Sequence, residues 1–237
     1  MVQDDERERE LVRLFNLNWD PAHQRAGVDA TLTVQVGAAK LVVEVEVKST
    51  TGQTVSTARD VGVDHIAKWR RMLFVVGYYS SDARRPELLR CLCLTPIDMA
   101  PWIDSIEQKI AVDFAIAQRS SAALTLADLL AICGQADSYT IAQAKTVLRQ
   151  QRTNDQYLSG ADLDIAGQRR YSPMAMLTVL RERARYIAER GATLNNPHLT
   201  KQHLSRFHGT DREINGDWAA RIRALAAQWL TVSREAT

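Results

Sequence analysis

The segment LVVEVEVKS at residues 41–49 constrains the fold more than any other part of the chain. Side chains alternate between the two faces of a β-strand. The three valines at alternate positions therefore share one face, as expected of residues that pack into a core. Glu44, Glu46 and Lys48 share the other face, where ionised groups are costly unless they are paired, hydrogen-bonded or bound to a metal. The segment predicts a sheet with one buried face and one charged face.

A third acidic residue, Asp29, is expected close to this charged face. It opens a predicted strand at residues 28–36, which a turn at Gly37 connects to the strand at 41–48. In such a hairpin, the start of the first strand lies beside the end of the second. Asp29 and Glu46 would then offer hard oxygen ligands to a divalent cation, and Lys48 could orient a water or stabilise a phosphate.

The remaining patterns predict an α/β fold with a mixed sheet. A first helix runs to about Phe15, and a helix capped by Ser56 or Thr57 follows the hairpin. Apolar runs at 73–79 and 87–94 predict two more strands. From about residue 103 onward, strand-like runs give way to helical spacing. We therefore expect two regions, a core at residues 1–119 and a mainly helical region at 120–237.

The residues GVD at 27–29 and VEVEVKS at 43–49 together resemble the PD-(D/E)xK nuclease motif. The order of elements over residues 1–94 is similar to the αβββαβ core of that superfamily, the restriction-endonuclease-like fold. Val28 stands where a proline is frequent in the family. The resemblance implies that Asp29 and Glu46 bind Mg²⁺ and that Lys48 is the catalytic lysine. It also implies an additional acidic residue on the first helix, for which Glu10 is the candidate.

Glu44 points to the same face as Glu46 and is a further candidate acid. An alternative needs no metal at all: a surface hairpin in which Glu44, Glu46 and Lys48 form ion pairs. His65, on the helix after the hairpin, could face the site, although a surface position is favoured.

Basic and amide side chains outside the motif are candidate DNA contacts. One group follows the motif strand, and another belongs to the helical region, where residues 125–151 could form a helix-turn-helix. Two amphipathic helices packed in any α-domain give the same pattern, and this second interpretation is favoured over a helix-turn-helix. Two arginines beside Tyr171 are expected in a loop. The candidates are Gln53, Arg59, Lys68, Lys145, Arg149, Arg169 and Arg170.

Charge and cysteine content narrow the class of protein. The net charge is +2, with 15 Lys+Arg against 17 Asp+Glu in residues 1–119 and 15 against 11 in residues 120–237. This asymmetry fits a metal-dependent enzyme acting on a polyanion. Three cysteines without a CxxC pair argue against a disulfide framework and against structural zinc. No apolar stretch is long enough to span a bilayer, and the polar N-terminus favours a cytoplasmic protein.

The sequence therefore predicts a magnesium-dependent endonuclease that resembles type II restriction enzymes. The resemblance implies site-specific cleavage of double-stranded DNA by a homodimer, in functional pairing with a DNA methyltransferase. A repair or junction-resolving nuclease is an alternative within the class. A non-catalytic DNA-binding regulator, with the α/β part as a scaffold, is the alternative from another class.

Overall fold

The structure, a computed structural model, describes residues 2–19, 29–82 and 86–235. Gly27 and Val28 of the predicted motif lie outside these residues. The helices are, in chain order, α1 (Val2–Leu14), α2 (Val63–Trp69), α3 (Pro96–Ala122), α4 (Leu126–Cys133), α5 (Ile141–Val147), α6 (Asn154–Gly160), α7 (Pro173–Ala192), α8 (Lys201–Leu204) and α9 (Trp218–Glu235).

The strands form one mixed sheet and two small antiparallel ones. They are, in chain order, β1 (Ala30–Val36), β2 (Ala39–Thr50), β3 (Val55–Ser56), β4 (Leu73–Tyr79), β5 (Leu88–Leu94), β6 (Tyr139–Thr140), β7 (Leu163–Ile165), β8 (Gln168–Tyr171), β9 (His198–Leu199) and β10 (Glu213–Ile214). The mixed sheet has the order β1-β2-β4-β5-β10, in which β2 and β4 are parallel and the other neighbours antiparallel. The predicted α/β fold with a mixed sheet is confirmed.

The hairpin of β1 and β2 sets the register on which the site depends. Its turn is only two residues long, and Gly37 adopts φ +57° there, a conformation that glycine tolerates best. Seven residue pairs follow from Val36 opposite Ala39 to Ala30 opposite Val45. Because the chain enters β1 at Asp29, this register brings Asp29 beside the end of β2.

Helices cover both faces of the sheet. The valines of β2 join Leu11 and Phe15 of α1 and Ile222 and Leu225 of α9 in one core. On the other face, Trp69 of α2 contacts Phe74 of β4 and Trp102 of α3. Burying side chains of this size is the main favourable contribution to folding.

The chain divides into two compact units, and the division differs from the predicted boundary at residue 120. The sheet unit comprises Met1–Gln108 and Leu194–Thr237, and the insert unit comprises Lys109–Thr193. The last 44 residues belong with the sheet because β10 pairs with β5 and α9 packs into the sheet's core. Amphipathic spacing shows that a helix has a buried face but does not show which core buries that face.

The insert unit is not purely helical, so the expectation that strands end near residue 103 is wrong. Strands β6, β8 and β7 form a three-stranded antiparallel sheet in that order. Tyr139, Tyr157 and Tyr171 are fully buried in a core with side chains from α4, α5 and α7. Strands of two to four residues are too short for alternation to reveal.

Two details between β2 and β4 also differ from expectation. Neither Ser56 nor Thr57 caps α2, whose N-cap is Gly62, because Ser56 lies in β3 and Thr57 donates its hydroxyl hydrogen bond to the carbonyl of Pro197. In the described residues, the only strand between β2 and α2 is β3, which pairs with β9 outside the mixed sheet. The described elements thus run helix, two long strands, helix and strand, one long strand fewer than αβββαβ.

Among the described residues, no single helix has the length and apolar character to cross a membrane. Only the consecutive helices α3 and α4, taken together as a bent pair, meet the criteria of length and composition.

Gly77 of β4 provides a test of the packing of α1 on the sheet. A Cβ at this position would lie 2.8 Å from Leu11 Cδ1 and 2.9 Å from Cδ2, and Leu11 is fully buried. We expect Gly77→Ala to lower the free energy of unfolding by about 1–3 kcal/mol because the core is overpacked. Gly52→Ala is the control, since its nearest neighbour would lie 3.7 Å away. Equal stabilities of the two variants in chemical denaturation would contradict the described packing.

Candidate active site

Asp29, Glu46 and Lys48 meet at one point on the charged face of the sheet. Lys48 Nζ lies 3.0 Å from Asp29 Oδ2 and 2.8 Å from Glu46 Oε1. The backbone N–H of Val47 donates to the same Asp29 oxygen at 3.0 Å. The Asp29 carboxylate is thereby bound to β2 through the backbone of Val47 and the side chain of Lys48. The structure brings together the three residues that the hairpin predicted, with both carboxylates on one ammonium group.

This cluster is largely withdrawn from solvent. The side chains of Lys48 and Glu46 are 15% and 12% exposed. Burial alone would lower the pKa of Lys48, but the charges of Glu46 and Asp29 outweigh it and raise that pKa well above its usual value. Burial raises the pKa of Glu46, and Lys48 opposes this rise. The two carboxylates therefore favour the charged form of Lys48 at this point of the site.

A cleft of about 430 Å³ opens over the cluster. Its walls come from the end of the β1–β2 hairpin, from the segment after β3 and from α2. The lining residues are Asp29, Glu46, Lys48, Thr57, Ala58, Arg59, Asp60, His65, Lys68, Trp69 and Met72. Charged groups of both signs thus surround a space large enough for part of a polar ligand.

A segment remote in sequence holds one wall of the cleft in place. Strand β3 pairs with β9, so that Val55 lies opposite Leu199. The backbones of Val61 and Leu194 exchange hydrogen bonds of 2.8 and 2.9 Å, and Asn196 accepts from the N–H of Thr57 at 3.2 Å. Residues 194–199 therefore complete the sheet unit at the site.

The helix α2 contributes two polar side chains to the cleft. Lys68 lies near enough to Glu46 for its charge to lower the pKa of that carboxyl, against the larger effect of burial. Burial, and then Lys68, lowers the pKa of His65 below its usual value, so His65 is predominantly neutral near neutral pH. His65, for which a surface position was favoured, is partly buried and lines the cleft.

Of the two acids Glu8 and Glu10 in α1, Glu8 is the one whose charge acts on Lys48. Glu10 accepts a hydrogen bond of 3.0 Å from Tyr79 OH, in the core between α1 and the sheet. The charge of Glu8 contributes to the raised pKa of Lys48. Helical spacing places Glu8 on the face of Leu11 and Phe15, which packs against the sheet, but spacing does not show that Glu8 lies near Lys48.

The four remaining candidate side chains of the sheet unit differ in their positions relative to the cleft. Arg59 lines the cleft, as does Lys68. Neither Glu44 nor Gln53 is among the described residues that line the cleft. Glu44 lies two positions back along β2, and Gln53 is exposed in the bend between β2 and β3.

Three of the four candidates of the insert unit have hydrogen-bond partners within it: Lys145, Arg169 and Arg170. Lys145 Nζ donates to Asn154 Oδ1 at 2.8 Å, and Arg149 is exposed just after α5. Arg169 and Arg170 are not in a loop, as predicted, but in β8. Arg170 donates a hydrogen bond to the hydroxyl of Ser138 at 2.8 Å. Its guanidinium group therefore already stabilises the insert unit itself.

The donor set of the site suits a hard divalent cation. Asp29 Oδ2 and Glu46 Oε1 both lie within hydrogen-bond distance of one nitrogen, so a single small cation at that point could bind both. In the described residues, no group of three or more His, Cys, Asp or Glu side chains is arranged around a metal position. Two carboxylates are sufficient for Mg²⁺, which commonly keeps several waters and substrate oxygens among its ligands.

Comparison of the sequence with models of protein families gives no match, and comparison with curated proteins gives none either.

Replacing Lys48 tests whether its ammonium group occupies the cation position. We expect Lys48→Met to lower the free energy of unfolding in EDTA by about 2–4 kcal/mol, because two mostly buried carboxylates lose their counter-charge. Added Mg²⁺ should then stabilise the variant more than the wild-type protein, since the cation no longer competes with the ammonium group.

Lys40→Met is the matched control, because Lys40 lies on the same strand but is exposed. Its unfolding midpoint should stay close to that of the wild-type protein with and without Mg²⁺. If both variants unfold alike and respond alike to Mg²⁺, the three groups do not form a cation site.

Proposed function

We propose that the protein is a Mg²⁺-dependent endonuclease that hydrolyses phosphodiester bonds in double-stranded DNA. The observation that carries this proposal is the convergence of Asp29, Glu46 and Lys48 at the base of one open cleft. Two carboxylates and an ammonium group at one point supply what phosphodiester hydrolysis requires: a metal site and a fixed positive charge.

Asp29 and Glu46 would hold the cation, and Val47 N–H keeps the Asp29 carboxylate in position. When bound, Mg²⁺ would supply charge neutralisation for the phosphate and a lowered pKa for bound water. With Asp29 and Glu46 holding the cation, the Lys48 ammonium group would be available to donate hydrogen bonds to the attacking water or to a phosphate oxygen. Arg59 and Lys68 add positive charge to the walls of the cleft, where a polyanion would enter.

The resemblance to the PD-(D/E)xK nucleases supports the same roles, and it suggests a type II restriction enzyme. A homodimer that cuts both strands and functional pairing with a DNA methyltransferase belong to this proposal. The missing long strand between β2 and α2 is a departure from the family's core, although the hairpin that carries the motif is present. The two alternatives without catalysis, a hairpin stabilised by ion pairs and a regulator that only binds DNA, both predict no cleavage with Mg²⁺.

Cleavage assays on phage DNA test the proposal directly. We expect discrete fragments with Mg²⁺ and none with EDTA. Asp29→Asn and Lys48→Ala should each reduce cleavage by about 10³-fold or more, because each removes a group that acts on the reacting phosphate. Both variants should still bind duplex DNA with Ca²⁺.

Lys40→Ala, a surface lysine of the same strand, is the control and should cleave like the wild-type protein. Circular dichroism establishes that each variant is folded. Full cleavage by either site variant would overturn the assigned roles. Duplex binding by the wild-type protein without cleavage at any concentration of Mg²⁺ would favour the DNA-binding regulator instead.

A further inference from the structure

Helix α2 brings an imidazole ring to the cleft. His65 lies in the first turn of α2, and its side chain lines the space that opens over Asp29, Glu46 and Lys48. The ring is partly buried, and its centroid lies 6.0 Å from that of the Trp69 ring. Trp69 is only 2% exposed and packs into the core on this face of the sheet. The imidazole therefore stands on a well-supported wall of the cleft.

The ring nitrogens of His65 are uncommitted. In the described part of the chain, no protein group forms a hydrogen bond or an ion pair with either nitrogen. A polar group that serves only the fold is usually hydrogen-bonded to the protein where it is withdrawn from water. Both nitrogens are thus available to a ligand or to a water molecule in the cleft.

Most of the other polar side chains that line the cleft cannot accept a proton there. Three of them are cations, which donate hydrogen bonds and have no lone pair to offer. These are Lys48, Arg59 and Lys68. Thr57 donates its hydroxyl hydrogen bond to the carbonyl of Pro197. Asp29 and Glu46 hold the cation under the proposed function. His65 and Asp60 remain.

Of these two groups, the imidazole is the better proton acceptor near neutral pH. Asp60 is exposed, and a side-chain carboxylate in water is a much weaker base than an imidazole. A general base works best when its pKa lies near the working pH, which is the ordinary range of histidine.

The charges around His65 favour its neutral form. Burial and then Lys68 lower the pKa of the ring, whereas Asp64 in α2 and Asp60 before it oppose this effect. The net pKa lies below the usual value of histidine, so the ring offers a lone pair near neutral pH. Lys68 also acts on Glu46, so one ammonium group lies within electrostatic reach of both the ring and the cluster.

We propose that His65 is the general base of the hydrolysis, the group that accepts a proton from the attacking water. This inference rests on the proposed function. The water oxygen forms a bond to phosphorus, and the bond from phosphorus to the leaving sugar oxygen breaks. The proton of the water passes to a ring nitrogen of His65, directly or through one further water, and is later returned to solvent. The leaving oxygen takes its proton from another water. The Lys48 ammonium group remains a hydrogen-bond donor throughout.

Single-turnover cleavage of phage DNA with saturating Mg²⁺ tests this role. His65→Gln keeps a polar side chain that cannot take up a proton. We expect the rate of cleavage to fall by about 10²-fold or more, as is typical when a general base is lost. The affinity for duplex DNA with Ca²⁺ should stay that of the wild-type protein. His198→Gln, the same change at an exposed histidine of β9, is the control and should cleave like the wild-type protein.

The pH dependence separates a general base from a structural residue. The wild-type rate should rise about tenfold per pH unit on the acid side and level off above the pKa of His65, because only the neutral ring accepts a proton. This bend should be missing in His65→Gln. In His65→Ala, added imidazole should restore cleavage in proportion to its concentration. A ring that only supports the fold predicts an unchanged bend and no such rescue, and that result would overturn the proposal.

The charge state of the ring can be measured without metal or DNA. In protein with labelled histidines, the NMR titration of His65 should give a pKa below the usual value. Lys68→Met should raise this pKa, because a neighbouring positive charge is removed. A His65 ring that is mainly protonated at neutral pH would contradict the inference.

The outcomes distinguish this inference from the proposed function. If the wild-type protein cleaves DNA and His65→Gln cleaves equally well, His65 is not the base while the endonuclease proposal stands. Loss of cleavage in Asp60→Asn but not in His65→Gln would assign the proton to the carboxylate instead. A wild-type protein that binds duplex DNA but never cleaves it refutes the endonuclease proposal and the general base together.

A modified substrate separates proton transfer from water and proton transfer to the leaving group. Sulfur replaces the leaving oxygen at the mapped cut position, since a sulfur leaving group departs without being protonated. His65→Gln should remain as impaired on this substrate as on ordinary DNA, because the water must still lose its proton. Full recovery of the variant on the sulfur substrate would show that His65 protonates the leaving oxygen, and the general base would be overturned.

Discussion

The contact of one lysine with two carboxylates is the interaction on which the site depends. Lys48, Asp29 and Glu46 are each costly to bury alone, and the ammonium group of Lys48 reduces that cost by offsetting one of the two negative charges. The β1–β2 register creates this contact, since Ala30 opposite Val45 places Asp29 beside Glu46 and Lys48. A shift of the register by one residue would turn the valines of β2 to the charged face and separate the three groups. The core and the site are therefore specified by the same hairpin.

The rest of the sheet unit serves to hold and enclose this cluster. Helices α1 and α9 cover the apolar face, and α2 brings Lys68 and His65 to the other. Residues 194–199 return to the sheet unit after the insert and brace the wall between β3 and α2. The same arrangement explains why the chain does not divide at a single boundary. The site requires residues from both sides of the insert unit, and each unit has its own core.

The sequence contained enough information for the central elements and too little for the short ones. Strand β4 was predicted at the residues where it occurs, since a continuous apolar run is a local signal. The proximity of Asp29 to Lys48 followed from hairpin geometry alone. Helix α6 and strands β7 and β8 escaped detection because elements of three to seven residues show at most two periods of their pattern. The orientation of His65 and the hydrogen-bond partner of Glu10 depend on tertiary packing. The spacing of residues along the chain does not reveal such packing.

The most direct test of the central claim is to locate a divalent cation in crystals of the protein soaked in Mn²⁺, by anomalous diffraction. The account predicts one peak bonded to Asp29 and Glu46 at about 2.1–2.2 Å, close to the distances that Mg²⁺ adopts, with the Lys48 ammonium group moved away from that point. An unchanged Lys48 between the two carboxylates, with no peak at this position in saturating Mn²⁺, would contradict it. The three residues would then be a structural ion cluster at the base of a cleft.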